Sequence, residues 1–257
     1  MLLTNEGKLP VHWWTHAPNF GDLLAPWLAA RISGREVEYA PKGTPGYVII
    51  GSILSHVTDD CIVWGAGSFG TETASQISKK ATYLAVRGPL TRNKLDNLKI
   101  ECPRVYGDPA LLVPDYYRPA VEPVHEVGVV LRWSETARNE KFDVPGVKKI
   151  FLGSDDIEGT LDDIVSCKRI VSSSLHGLIL ADAYGIPNAW LDSPTPKGKE
   201  FKYWDYLISV NKIRPAKAYK LVQSGLTAEK LISDLHFDDR PIQIDLDLLR
   251  KACPFTA

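Results

Sequence analysis

The side chains best suited to chemistry gather in the stretch 168–192, which reads K-R-I-V-S-S-S-L-H-G-L-I-L-A-D-A-Y-G-I-P-N-A-W-L-D. Three consecutive serines, Ser172, Ser173 and Ser174, precede Leu175 and His176. Imidazole has an ordinary pKa of about 6.5, so His176 can give and take a proton near neutrality without tuning. Proton transfer by a positioned group contributes a factor of roughly a hundred to ten thousand in rate. The competing reading is a histidine satisfied inside an apolar core. The corner itself favours the first reading. Helix starts carry roughly half a positive charge and several free N–H groups, so phosphate or carboxylate would be held between Ser172 and His176.

Two arginines, Arg87 in A-V-R-G and Arg132 in V-V-L-R-W, each follow directly on an apolar run. A guanidinium keeps its charge and offers a planar fork, which makes both candidate clamps for an anion. Asn19-Phe20-Gly21-Asp22 is either an N-capping turn or a place where Asn19, Gly21 and Asp22 meet a substrate hydroxyl, with Asp22 taking its proton. Gly107-Asp108-Pro109 has the same ambiguity and leans to capping. The segment 196–202, P-K-G-K-E-F-K, is locally basic and brings in Lys197. Gly65-Ala66-Gly67-Ser68-Phe69-Gly70 fits the G-x-G-x-x-G pattern of dinucleotide sites, but it lies in the middle of the first half and precedes a poor helix. A glycine turn that lets the backbone bend or approach a ligand explains it as well. A serine-hydrolase reading lacks the G-x-S-x-G elbow, and no His, Cys or carboxylate cluster has metal-ligand spacing.

These residues need elements to hold them. In 168–192, strand, polar turn, helix closed at Gly185 and second strand follow in order, a βαβ unit whose ligands would sit at the carboxyl ends of the strands. Upstream, apolar runs at 11–16, 36–40, 47–50, 61–64, 82–86 and 104–106 read as strands, with helices at 23–32, 89–97 and, weakly, 73–80. Three prolines between Pro114 and Pro123 suggest a linker. After it the alternation restarts with strands at 127–131 and 147–152 and a helix at 160–166. Helical patterns at 201–210, 228–235 and 246–251 complete the chain. The expected fold class is α/β, with two Rossmann-like domains built on parallel sheets, residues 1–118 and 119–257, and the last helix packing back on the first.

With 257 residues the chain is long enough to bury a large core without staples. Thirty basic against thirty-one acidic side chains leave no global field to attract nucleic acid. Four widely spaced cysteines read as reduced thiols, and neither a signal peptide nor an apolar span is evident, so a cytoplasmic protein is expected.

Four motifs, N-F-G-D at 19–22, A-V-R-G-P-L-T at 85–91, G-D-P-A-L-L at 107–112 and S-S-S-L-H-G-L-I-L-A-D-A-Y-G-I-P at 172–187, together resemble the polysaccharide pyruvyl transferase family. That resemblance implies a fold of the GT-B glycosyltransferase kind with its site in a cleft, the acceptor on the first domain and the donor on the second. It also implies transfer of pyruvate from phosphoenolpyruvate, as co-substrate and without a further cofactor, to a sugar of an exopolysaccharide repeat unit, closing a cyclic ketal and releasing phosphate. A lipid-linked acceptor would bring the chain to the inner face of the plasma membrane. His176 would be the acid and Asp22 the base. Ser172, Ser173, Ser174, Leu175, Arg87, Arg132 and Lys197 would hold the donor, and Asn19, Gly21 and Asp22 the acceptor. Members of the family carry a basic residue just before Leu-His where this chain has Ser174, so Arg87, Arg132, Arg169, Lys197 or Lys199 must supply the cation. A glycosyltransferase using a nucleotide sugar and a non-catalytic nucleotide- or sugar-binding protein are the alternatives.

Overall fold

A computed structural model describes residues 1–192 and 200–255. In chain order the first half contributes β1 (Leu9–Val11), α1 (Phe20–Ser33), β2 (Val37–Tyr39), β3 (Tyr47–Val48), β4 (Ile62–Trp64), β5 (Thr82–Ala85), α2 (Pro89–Asn97) and α3 (Val113–Tyr116). The second contributes β6 (Val127–Leu131), α4 (Thr136–Lys141), β7 (Val147–Phe151), α5 (Ile157–Val165), β8 (Ile170–Ser172), α6 (Leu175–Ala183) and β9 (Asn188–Trp190). Three further helices follow, α7 (Phe201–Ser209), α8 (Ala228–Asp234) and α9 (Leu246–Lys251).

The strands form two sheets in which all described pairings are parallel, ordered β2-β1-β3-β4-β5 and β7-β6-β8-β9. This is an α/β fold consistent with a two-domain Rossmann-like arrangement. In each sheet the order reverses beside its first strand, between β1 and β3 and between β6 and β8. Ligands of open α/β sheets bind at such reversals, beyond the carboxyl ends of the strands. The central strands are apolar because helices cover both faces. Every residue of β6 is buried, and one continuous core takes in Leu9, Val11, Leu24 and Leu28 from the first half with Val130, Leu161, Ile170 and Leu178 from the second.

The sequence reading meets the structure most closely where punctuation is strong. α1 is capped by Asn19 and closed by Gly34 in the left-handed conformation, and α2 starts on Pro89. It departs where the pattern of apolar residues outruns the pairing. The strand expected at 11–16 stops at Val11, where the pairing with β2 ends; beyond it only the His12 N–H still donates to β3, at Tyr47 O (2.8 Å). The run at 104–106 makes only a bridge between Tyr106 and Val86, and 73–80 holds one short turn of 3-10 helix, 74–76. Part of the expected linker is helical, since α3 begins at Val113 and uses Pro114 in its first turn.

Several elements cross between the halves. The N–H of Phe20 at the start of α1 donates to Leu152 O just past β7 (3.0 Å). α7 returns to pack on α2, where Asp205 accepts from the Arg87 Nε (3.1 Å), the Thr91 N–H (2.9 Å) and the Thr91 hydroxyl (2.6 Å). α9 lies on the first sheet, with its Leu249 carbonyl accepting from the Trp64 indole (2.9 Å) and Phe255 packed against Tyr47. Removing one partner of a buried ion pair strands the other, a loss of about 3–5 kcal/mol. Asp205→Ala should therefore lower the unfolding free energy measured by urea titration by an amount of that order, whereas Thr91→Val, which removes one hydroxyl bond, should cost about 1 kcal/mol.

Candidate functional site

Where the reversals of the two sheets meet there is a cavity of about 400 Å³, a size usual for small-molecule sites. From the first sheet come Trp14 and Asn19 beyond β1, Asp22 on α1, Gly51, Ser52 and Ile53 beyond β3, Phe69 beyond β4 and Arg87 beyond β5. From the second come Arg132 and Trp133 beyond β6, Ser174 beyond β8, and Leu175 and His176 in the first turn of α6. Lys202 on α7 completes the lining.

His176 sits where α6 points its unpaired first-turn N–H groups at the cavity. Gly21 makes room for it, since a Cβ there would fall 2.0 Å from His176 Nδ1. The other ring nitrogen, Nε2, is buried with no hydrogen-bond partner among the described residues and lies 3.9 Å from Asp108 Oδ2, which is equally buried and unpartnered among them. The remaining oxygen of Asp108 caps the next turn by accepting from the Ala110 N–H (3.0 Å). Asp108 is thus both the cap that the sequence suggested and the acid behind the histidine. Sequence reasoning reached only the first role, because an unpartnered second oxygen is visible only in three dimensions.

Arg87 is fully buried and three of its five donors are engaged, Nε by Asp205, Nη1 by Ser52 Oγ (2.8 Å) and Nη2 by Ser68 O (2.8 Å). Its charge is offset by Asp205, leaving two N–H groups for a ligand. Gly67 explains the glycine motif: a Cβ there would fall 2.3 Å from the Arg87 guanidinium carbon. That close approach, together with the lack of a following α-helix, replaces the dinucleotide reading of 65–70. Arg132 is differently placed. Its Nη1 is buried with no partner among the described residues, so it is the side chain with the most to gain from an anion.

Of the expected donor residues, the structure brings Ser174, Leu175, Arg87 and Arg132 to the cavity. Ser172 and Ser173 turn inward instead. Ser172 Oγ donates to Ser174 O (2.9 Å) and accepts from its N–H (3.0 Å), while Ser173 is tied to Glu135 and its carbonyl accepts from the Tyr203 hydroxyl (2.7 Å). They shape the corner rather than line it. Lys197 lies outside the described residues. Lys202, which the sequence showed only as the end of a basic run, takes a place on the cavity with its Nζ over the Phe69 ring.

Burial dominates the electrostatics. It pushes the Asp22 carboxyl up to about 7, against the opposing Lys202 charge and the Asn19 hydrogen bond. Asp108 is pushed up to about 6, again by burial first. Lys202 is brought down to about 7 by burial, then by Arg132 and Arg87. His176 is brought down to about 3 by burial, then by Lys202 and Arg87. The cavity wall therefore carries a neutral imidazole at pH 7, beside a lysine and an aspartate that both titrate near neutrality. The arrangement can bind a small anion, and that anion's charge would raise His176 and Lys202 together.

A buried carboxylate forced to ionise costs stability. Since the folded-state pKa of Asp22 lies above its unfolded value, the chain is most stable below about pH 4 as far as this group is concerned, and loses that contribution as pH rises from there through about 7. Asp22→Asn should accordingly raise the melting temperature at pH 8 by several degrees, at about 2–4 °C per kcal/mol, and leave it nearly unchanged below about pH 4. Equal gains at both pH values would show that Asp22 is not strained by its charge.

Several known proteins are similar to this chain. The profile of the polysaccharide pyruvyl transferase family matches residues 49–194, more than half of the chain. An uncharacterized protein of Acanthamoeba polyphaga mimivirus is 27% identical over 221 residues, covering 80% of this chain and 76% of that one. The succinoglycan biosynthesis protein ExoV of Rhizobium meliloti is 27% identical over 194 residues, covering 69% of this chain and 57% of ExoV. A solved structure of a functionally uncharacterized protein from Klebsiella pneumoniae subsp. pneumoniae superposes with a TM-score of 0.45 at 12% identity, over 77% of this chain and 88% of that one.

Proposed function

The chain belongs to the polysaccharide pyruvyl transferase family, and from that premise we propose that it transfers the pyruvyl group of phosphoenolpyruvate to a sugar of an exopolysaccharide, as a cyclic ketal. The observation that carries the reading is the meeting of Arg87, Arg132 and Lys202 with the start of α6 and His176 on one cavity. Phosphoenolpyruvate brings a carboxylate and a phosphate of about −1.5 to −2 charge. Arg132 Nη1 takes one of these groups and Lys202 with the first-turn N–H groups of α6 the other. No separate cofactor enters this scheme, and the cation missing at Ser174 is supplied from α7 and β6.

Chemistry starts at the methylene carbon. His176, raised by the donor's charge and by Asp108 behind it, gives its proton to that carbon, and the neighbouring carbon becomes an electrophile. A sugar hydroxyl attacks it while Asp22 takes the hydroxyl proton. The bond to the phosphate oxygen then breaks, and a second hydroxyl of the same sugar closes the ketal. One hydroxyl proton thus replaces the proton that His176 gave to the methyl group, and the other leaves with inorganic phosphate.

The sugar's hydroxyl-bearing edge faces Asn19, Asp22 and Ser52. No helix among the described residues is long and apolar enough to cross a membrane. A lipid-linked acceptor would be met by a chain working peripherally at the cytoplasmic face of the membrane.

Incubation with phosphoenolpyruvate and exopolysaccharide fragments should release phosphate and add a pyruvate-sized mass to the sugar. Activity with nucleotide sugars alone would overturn the reading. His176→Ala should lower kcat roughly 100- to 10,000-fold and move the Michaelis constant for phosphoenolpyruvate far less. Arg132→Ala should raise that Michaelis constant roughly ten- to a hundredfold, as expected for a lost charged hydrogen bond of about 1.5–3 kcal/mol. For the intact chain the same constant should climb above about pH 7, where Lys202 gives up its proton.

A further inference from the structure

Seven tryptophans occur in the chain, and their contacts divide them, Trp13 standing edge-on to Tyr39 of β2. Trp64 donates to Leu249 O and Trp204 to Glu200 Oε2 (both 2.9 Å). Trp190 is buried and stacked on Tyr203, and Trp27 carries Arg31 over its ring. Trp14 and Trp133 are unlike these. Each lies just past the first strand of its sheet, each is only half-buried, and their rings meet across the two halves at 4.7 Å between centroids with a 40° tilt. Both line the cavity, and neither indole N–H has a partner among the described residues.

Core packing does not account for this pair. Two large aromatic side chains that meet across the halves, line a cavity and stay only partly buried mark a surface made for contact. The sequence alternation would have placed Trp14 in a strand, but β1 ends at Val11 and frees it. Asn19, Asp22 and Ser52 line the same cavity and offer amide, carboxyl and hydroxyl groups. An apolar face bordered by such groups matches a pyranose ring, which has a C–H face and an equator of hydroxyls. The C–H edges are electropositive and the indole face carries negative charge density, so the two attract beyond the area they bury. A planar base is served less well, because rings tilted by 40° at this separation leave no parallel slot between them.

We propose that Trp14 and Trp133 form a stacking platform for one sugar ring, orienting its hydroxyls toward Asn19 and Asp22. The platform is assembled from both halves, so it exists only when the β1 and β6 loops are together. It rests on the reading of the site as one that takes a sugar acceptor.

The test uses the full chain with methyl glycosides of glucose, galactose and mannose as probes. Hydroxyl-radical footprinting of the unaltered chain should show protection at Trp14 and Trp133 by at least one glycoside, with no comparable change at Trp27. Saturation-transfer NMR should show the same binding retained in His176→Ala, whose turnover is lost, and weakened by roughly tenfold or more in Trp14→Leu and Trp133→Leu, as loss of about 1.4 kcal/mol requires. Footprinting keeps the proposal falsifiable if the leucine variants fail to fold. Absence of protection by every glycoside, equal binding by both leucine variants, or protection of these tryptophans by uridine in preference to sugars would overturn it. Protection at the pair in a chain that never releases phosphate from phosphoenolpyruvate would uphold the platform and count against pyruvyl transfer. Transfer proceeding with the sugar bound elsewhere would do the reverse.

Discussion

A guanidinium with almost no access to water can sit inside a protein only if its charge is met. Arg87 is met by Asp205, 118 residues away in sequence, and much of the structure follows from that requirement. The partner lies on α7, so the chain must return from the second sheet to the first. The guanidinium needs space, so Gly67 carries no side chain. Two further bonds, to Ser52 and Ser68, fix the loops beyond β3 and β4 that wall the cavity. Burying two charges is costly and their attraction repays it only with good geometry. The additional bonds from Thr91 to Asp205 supply that geometry.

Around this neutral pair the cavity is set up as an electrostatic mismatch. Arg132 has a buried nitrogen with no partner among the described residues, Lys202 is brought down to about 7, and His176 is kept neutral by burial and by the two cations beside it. Each of these states is unfavourable alone, and each is relieved by a small anion. In the proposed mechanism His176 would therefore gain its proton only beside a bound anion, so that proton transfer would follow donor binding. Asp108, with one oxygen committed to a cap and the other facing the imidazole, can balance the imidazolium once it forms.

How much of this was written in the sequence depends on how local each signal was. The unit at 168–192 was legible because apolar runs, a polar turn and Gly185 all punctuate one short stretch. The exits of Arg87 and Arg132 from their strands were legible for the same reason. Lys202 was not, since its place depends on the packing of α7 against α2 rather than on its neighbours in the chain. Ser172 and Ser173 were legible as polar but not as inward-facing, because a hydroxyl in a turn can serve either the backbone or a ligand. Trp14 was hidden because the run 11–16 reads as one strand, whereas β1 ends at Val11. The GT-B-like expectation for the arrangement of the halves came from family resemblance. Composition and periodicity reached no further than alternating strands and helices on parallel sheets.

One backbone hydrogen bond, from Phe20 N to Leu152 O, has a mechanical meaning. It fastens the start of α1, and with it Asn19 and Asp22, to the end of β7 in the second sheet, while Gly21 lies flat against the His176 ring. The proposed base and the proposed acid thus share one rigid frame, although 154 residues of chain separate them. Because α1 packs on β1 and β2 as well as on α5, the helix that carries Asp22 is tied to both sheets, and any movement of one sheet against the other would be felt at that helix.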